Sequence, residues 1–175
     1  PARFYPIPAG MVMDTAQPAD LRELLLLEAL CFAEDEAFNR RQLRYLLRSP
    51  RATTFLIREE GQIVAAAVVS RRRTVRGTRG RLYSMAVSPQ HRRRGYGRML
   101  LKACLDSLTA EGVQSLSLEV RQDNAPAIAL YESMGFTIDR KLPDYYAPKA
   151  HGWRMGKTIS SSQQTSLPKK ANCQV

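Results

Sequence analysis

The sequence is short of cysteine, histidine and acidic side chains, and it holds no long apolar run. Its three cysteines, Cys31, Cys104 and Cys173, are odd in number and far apart, which argues against a disulfide framework and leaves buried or incidental thiols. His91 and His151 are the only histidines, and no Cys/His spacing matches a zinc site, so no metal is expected. Even the run Leu24 to Leu27 is bracketed by Arg22, Glu23 and Glu28, which leaves room for neither a membrane span nor a secretory segment. A cytoplasmic setting with no membrane partner is expected. Acids number 16 against 27 lysines and arginines, a formal net charge of +11, and this imbalance favours anionic partners such as nucleic acid, ribosome or phosphorylated ligands. At 175 residues and 44% hydrophobic composition the chain fits one α/β domain over residues 1–159. Residues 160–175, rich in Ser, Gln and Lys, are too polar to bury and read as a disordered tail or a non-native remnant.

What the sequence does contain is a glycine- and arginine-rich turn, Arg92-Arg93-Arg94-Gly95-Tyr96-Gly97-Arg98. Before it, Leu82, Met85 and Val87 form a strand-like run closed by Ser88-Pro89; after it, Met99, Leu100, Ala103, Cys104 and Leu108 recur at helical spacing. The order is strand, turn, helix. The first amides of a helix have no intrahelical acceptor and carry partial positive charge, and glycine lets a phosphate approach the backbone. The spacing matches neither the P-loop nor the dinucleotide fingerprint. Taken alone, the turn fits a phosphate seat and a solvated basic turn equally well.

The surrounding segments alternate between helical and strand periodicity. An irregular entry and first strand over Arg3 to Met13 precede a helix from about Asp20 to Cys31, with Leu21, Leu24, Leu25 and Glu28 in register. After the acidic turn Ala33 to Ala37, Asn39 caps a second helix that ends at Ser49-Pro50. A hairpin follows, Thr53 to Arg58 and Ile63 to Ser70, with Leu82 to Val87 paired to it. The dense run Arg71, Arg72, Arg73, Arg76, Arg79 and Arg81, around the turn-like Gly77 and Gly80, reads as a solvated hairpin tip or as a weak docking surface for anions. The main helix spans Tyr96 to Glu111 and stops at Gly112. In Ser115 to Arg121, Leu116, Leu118 and Val120 share one face of a strand while Ser117, Glu119 and Arg121 share the other. Asn124 caps a further helix that Gly135 ends before a strand over Phe136 to Arg140, and a last strand is expected near Trp153 to Ile159. The order is not a regular βαβ repeat, so a mixed sheet is preferred to a doubly wound one.

Two linked motifs, Arg92-x-x-Gly95-x-Gly97 and Leu118-Glu119-Val120-Arg121-x-x-Asn124-x-x-Ala127-x-x-Leu130-Tyr131-x-x-x-Gly135-Phe136, closely resemble the GNAT superfamily of N-acetyltransferases. The match is closest to the bacterial ribosomal-protein-alanine N-acetyltransferase, or RimI-like, branch. The resemblance implies a single-domain GNAT-like fold: a mixed, mostly antiparallel sheet flanked by helices, with splayed parallel central strands. It implies acetyl-CoA as co-substrate. Its pyrophosphate would rest on the turn Arg92, Arg93, Arg94, Gly95, Tyr96, Gly97 and Arg98, its pantetheine arm would pair with Met85, Ala86 and Val87, and Asn124 would contact it near the thioester.

By the same resemblance Glu119 is the general base and Tyr131 the general acid that protonates the departing thiolate. Read without the family, Glu119 is a solvent-facing strand residue, Tyr131 a packed helix tyrosine and Asn124 a simple cap. The acceptor must lose a proton before it attacks, which for an α-amino group costs roughly 3.3 to 3.7 kcal/mol less than for lysine. The implied acceptor is a protein N-terminal amine, of the ribosomal-protein type, attacking directly in a ternary complex because no cysteine stands in the motif. Lysine side chains, small amines such as polyamines or aminoglycosides, and a non-catalytic RNA- or ribosome-binding role on the same fold are the alternatives. His91 reads as an exposed polar residue. Tyr145-Tyr146 resembles part of a substrate-side loop over Pro143 to Trp153, but Lys149, His151 and Trp153 stand where the branch usually carries acids.

Overall fold

The computed structural model describes residues 10–159. The expectations for residues 1–9, including most of the entry segment, and for the tail 160–175 lie outside that range. The described chain folds into a seven-stranded sheet of order β1-β2-β3-β4-β5-β7-β6. Its strands are β1 (Met11–Thr15), β2 (Ala52–Glu59), β3 (Gln62–Thr74), β4 (Gly77–Val87), β5 (Ser115–Arg121), β6 (Thr137–Ala147) and β7 (Ala150–Thr158). The helices are α1 (Leu21–Cys31), α2 (Arg40–Arg48), α3 (Tyr96–Ala110) and α4 (Ala125–Ser133). Every neighbouring pair is antiparallel except β4 and β5. Among the described residues no helix is long and apolar enough to cross a membrane.

Two cores form because the two sheet faces are covered by different helices. Ala65, Ala67 and Val69 of β3 pack with Leu100, Leu101, Cys104 and Leu108 of α3 and with Leu116 and Leu118 of β5. On the other face, Ala66 and Ala86 pack with Leu24 and Leu27 of α1 and Leu43 of α2. Small alanines on β3 let the helices lie close on both sides. The α2 N-terminus closes with a capping box in which Asn39 Oδ1 accepts the Gln42 amide and Gln42 Oε1 accepts the Asn39 amide, both at 2.9 Å.

The feature that shapes the site is the short parallel pair. β4 and β5 pair only from Arg79 opposite Ser115 to Leu82 opposite Leu118, although β4 runs on to Val87 and β5 to Arg121. On the other edge of β4 the ladder to β3 slips at the same level, with Val68 opposite Ser84 and Val69 opposite Leu82, which leaves Tyr83 as a bulge. A bulge adds twist and bend to its strand, so β4 turns away from β5 where the bulge lies. The expected splay is therefore present.

Three expectations need correction. Gly80 is not at a turn: it sits inside β4 opposite Arg71, buried, and the hairpin turn lies at Thr74 to Gly77. The arginine run is not uniformly solvated, since Arg71 donates to Thr53 Oγ1 at 2.8 Å and pairs with Glu111 of α3. The segment from Pro143 to Trp153 is not a loop but the two arms of the β6–β7 hairpin. Its turn is closed by Asp144, whose Oδ1 accepts the Lys149 amide at 2.7 Å and whose own amide donates to His151 Nδ1 at 3.0 Å.

A Cβ at Gly80 would lie 3.0 Å from Leu108 Cδ1 and 3.2 Å from Leu116 Cδ1, closer than ordinary contact. Gly80→Ala is expected to destabilise the fold by about 1 to 3 kcal/mol in urea titration, the usual cost of overpacking. A stability equal to wild type would mean that α3 stands farther from β4 than described.

Candidate active site

Where β4 and β5 part, they open a cavity of about 210 Å³ whose lining includes Ser84, Met85, Glu119, Asn124, Tyr131 and Tyr146. The alternation of β5 explains half of this wall: Leu116, Leu118 and Val120 are buried in the α3 core, so Ser117, Glu119 and Arg121 must point the other way. The helix after β5 supplies the rest. Asn124 Oδ1 accepts the Ala127 amide at 3.3 Å, which caps α4 and leaves its NH2 group free of protein partners among the described residues. Tyr131, two turns along α4, packs its ring 5.9 Å from Phe136, and burial, with Cys104 nearby, raises its phenol above the usual value. It holds its proton at neutral pH.

Glu119 is not the solvent-facing strand glutamate of the bare sequence reading. Its side chain is 6% exposed and held between two arginines. Arg154, directly opposite on β7, donates from Nε at 3.1 Å and Nη2 at 2.6 Å to Oε1. Arg81 of β4 reaches Oε2 from Nε at 3.0 Å and Nη2 at 2.8 Å. A buried carboxylate needs such partners to stay ionised without a large desolvation cost. The clamp also ties together three strands, β4, β5 and β7, at the level of the split.

The turn after β4 keeps its amides available. Arg93 and Gly95 adopt positive φ, 64° and 86°, and α3 takes its first helical bond from the Met99 amide to the Gly95 carbonyl. None of the amides from Arg93 to Arg98 has an intramolecular acceptor among the described residues. The side chains of the turn divide their roles. Arg92 Nε donates to the Val87 carbonyl at 3.1 Å, Arg94 lies 3.4 Å from Glu59, and Arg98 donates to Ser133 Oγ at 2.7 Å. Arg93 has no ion pair among the described residues. Tyr96 is 1% exposed in the core, so only its amide faces the turn. Gly97 permits close packing of α3 on α4, since a Cβ there would lie 3.1 Å from Leu130 Cδ2. Of the strand residues, Met85 lines the cavity, Ala86 is buried against α1, and Val87 has its carbonyl engaged by Arg92. His91 is not fully exposed either: its Nε2 lies 3.1 Å from Glu59 Oε2 with the side chain 23% exposed.

Three site residues, Arg81, Arg154 and Glu28, were missed by sequence reading, whereas Tyr146 was placed on the substrate side by resemblance. Arg81 and Arg154 belong to a clamp that only strand register brings together. Tyr146 lies under Arg121, whose guanidinium carbon is 5.6 Å from the ring centroid and whose Nη1 donates to Glu36 at 2.7 Å, so the acidic turn after α1 is tied to β5. Glu28 had a legible signal, an acid in register with the apolar face of α1. It is buried, accepts from Ser84 Oγ at 2.8 Å and from the Phe38 amide at 3.0 Å, and its carboxyl is pushed up by burial against the pull of those hydrogen bonds. Burial pushes the Cys104 thiol up to about 12 and also raises Cys31, which disfavours the thiolate at both.

Glu28 generates a pH prediction. Its folded-state pKa lies above its unfolded value, so the folded chain binds the proton more tightly, and stability falls as pH rises from about 4.5 through the folded value. A glutamine keeps an acceptor for Phe38 and offers a donor to Ser84. Glu28→Gln is therefore expected to equal wild type near pH 4 and to exceed it at pH 7 in urea midpoint. A glutamine variant less stable at pH 7 would show that the ionised form is the favoured one.

Comparison with known proteins agrees with this geometry. The family model described as Acetyltransferase (GNAT) family matches residues 19–136. The chain is 52% identical over 71 residues to the ribosomal protein bS18-alanine N-acetyltransferase of Salmonella typhimurium, covering 41% of this chain and 47% of that protein. It is 40% identical over 96 residues to the enzyme of the same name from Escherichia coli K12, covering 55% and 62%. The aligned part thus spans about half to three fifths of these curated relatives. The crystal structure of the ribosomal-protein-S18-alanine N-acetyltransferase from Escherichia coli superposes with a TM-score of 0.77 at 28% identity, covering 90% of this chain and 99% of that one. With the split parallel pair, the free amides after β4 and the family match in one place, the chain belongs to the GNAT family of acetyltransferases.

Proposed function

We propose that the protein transfers acetyl from acetyl-CoA to the N-terminal amine of a protein, of the ribosomal-protein alanine type. The observation that carries this reading is the convergence, in one cavity at the split, of Glu119 on β5 and Tyr131 on α4 beside a turn of unpaired amides. The similarity to bS18-alanine N-acetyltransferases supports the acceptor class.

The residues present fit the donor. The amides from Arg93 to Arg98, with the α3 N-terminus and Arg93, would hold the pyrophosphate; the edge of β4 that β5 leaves at Met85 to Val87, where Arg92 already takes the Val87 carbonyl, would hold the pantetheine arm; Asn124 would offer its NH2 near the thioester. Bound there, acetyl-CoA supplies an activated acyl group with a thiolate leaving group. The protein's own part is proton handling and positioning. Glu119 accepts the proton of the incoming ammonium, and because four N–H donors already occupy its oxygens, the proton reaches it when a guanidinium yields or through a water. Arg81 is the readier to yield, since it also donates to Tyr145 Oη at 3.3 Å, whereas Arg154, about equally exposed, donates to Glu119 alone among the described residues. Tyr131, protonated at neutral pH, donates a hydrogen bond to the leaving sulfur. Among the described residues no thiol lines the cavity as an acyl carrier, which favours direct attack.

The test is a steady-state panel with acetyl-CoA and three amines: an N-terminal alanine peptide of ribosomal sequence, spermidine and free lysine. The peptide is expected to give the highest kcat/KM, and equal or better turnover of spermidine or lysine would overturn the acceptor assignment. Glu119→Gln and Tyr131→Phe are each expected to lower kcat about a hundredfold or more while the KM for acetyl-CoA stays within about twofold. Unchanged kcat in either variant would remove that residue from the proton path.

A further inference from the structure

Arginines outside the site are placed where folding alone disfavours them. On the outer side of α2, Arg41, Arg44 and Arg48 stand exposed at helical spacing, and none of them forms an ion pair among the described residues. Like charges three or four residues apart destabilise a helix, and a cation in the first turn opposes the macrodipole. On the β3–β4 hairpin, Arg72 and Arg79 are direct cross-strand partners, a repulsive pairing. Among the described residues neither has an ion-pair partner.

The fold gathers these groups on one side. Arg51, between α2 and β2, accepts the Arg71 amide on its carbonyl at 2.8 Å, which brings the C-terminal end of α2 beside Arg72. Arg71 turns toward α3 to meet Ser107 and Glu111, so the alternation of the strand sends Arg72, and with it Arg79, to the opposite face. That is the face on which α2 lies, since Leu43 packs with Ala66 and Ala86 there. Asp139 of β6 lines a cleft with Arg79, but the segments that carry these arginines hold no acid of their own. The sequence carries no Asp or Glu from 37 to 58 or from 61 to 105. A merely solvated surface ordinarily mixes both signs.

We infer that this surface binds the phosphate backbone of RNA. The guanidinium fork matches phosphate geometry, and an extended single-sign surface across a helix and a hairpin suits a polyanion better than one carboxylate. The choice of RNA among polyanions rests on the ribosomal acceptor proposed above; the phosphate contact itself does not. None of these arginines belongs to the proposed catalytic or donor-binding residues.

The test is fluorescence anisotropy of a labelled RNA duplex of about 20 base pairs with the full chain, at salt concentrations from about 50 to 200 mM, for wild type and for the combined Arg44→Gln, Arg48→Gln, Arg72→Gln and Arg79→Gln variant. Removing four phosphate contacts should flatten the slope of log K against log salt by about 3 and weaken binding at least about tenfold at the lowest salt. The variant's Tm should be no lower than wild type, since repulsions are removed. Its transfer of acetyl to a free alanine peptide should be unchanged. An unaltered slope overturns the inference. Equal binding of a polyglutamate peptide or of anionic vesicles assigns the surface to another partner and also overturns it, and a DNA duplex bound more than about tenfold tighter than RNA overturns the choice of RNA. Loss of peptide acetylation by the wild type with RNA binding intact would instead strike the proposed function alone.

Discussion

Two parallel strands that stop pairing part-way along their length impose the main constraint on this molecule. Backbone N–H and C=O groups in a sheet interior ordinarily find partners in the next strand, and beyond Leu82 and Leu118 those partners are missing. The Tyr83 bulge bends β4 away, α4 crosses beneath the opening with Asn124 and Tyr131, and α3 begins at its upper end. A gap with free strand edge on one side and free helix amides at its end accommodates a ligand that is amide-bearing along its length and anionic at one terminus. Donor recognition in this reading follows from hydrogen-bonding capacity that the fold leaves unused rather than from any one side chain.

The Glu119 clamp belongs to the same constraint. Strands that diverge lose their ladder, and the ion pairs from Arg81 and Arg154 replace it with side-chain bonds across β4, β5 and β7. Breaking one partner of such a buried group leaves a charge uncompensated, so these arginines are structural as well as electrostatic neighbours of the chemistry. The carboxylate is thereby fixed in direction, as its proposed role of proton acceptor requires.

Much of this was legible in local pattern. Strand, glycine turn and helix around Arg92 to Arg98, the alternation that separates Leu118 from Glu119, and the caps at Asn39 and Asn124 all depend on neighbours within a few residues, and the structure has them where the pattern placed them. What escaped depends on register between distant strands. Arg154 stands opposite Glu119 only because β7 inserts between β5 and β6, and nothing within either strand records that pairing. Gly80 looked like a turn because glycine often marks one, whereas its small size serves the packing of α3. The Pro143 to Trp153 segment looked like a loop because proline and Asp-Tyr-Tyr punctuate it, yet positive φ at Asp144 and Lys149 lets the two arms pair around those residues.

The β6–β7 hairpin hangs from the far edge of the sheet and shares no hydrogen bond or ion pair with the turn that follows β4, from which β5 separates it. Substitutions in the two places therefore have no common partner, and their energetic effects should add rather than couple. In the proposed reading, a lineage could revise the hairpin that carries Tyr145, Tyr146 and His151, and with it the choice of acceptor, step by step, while the donor cradle is inherited unchanged.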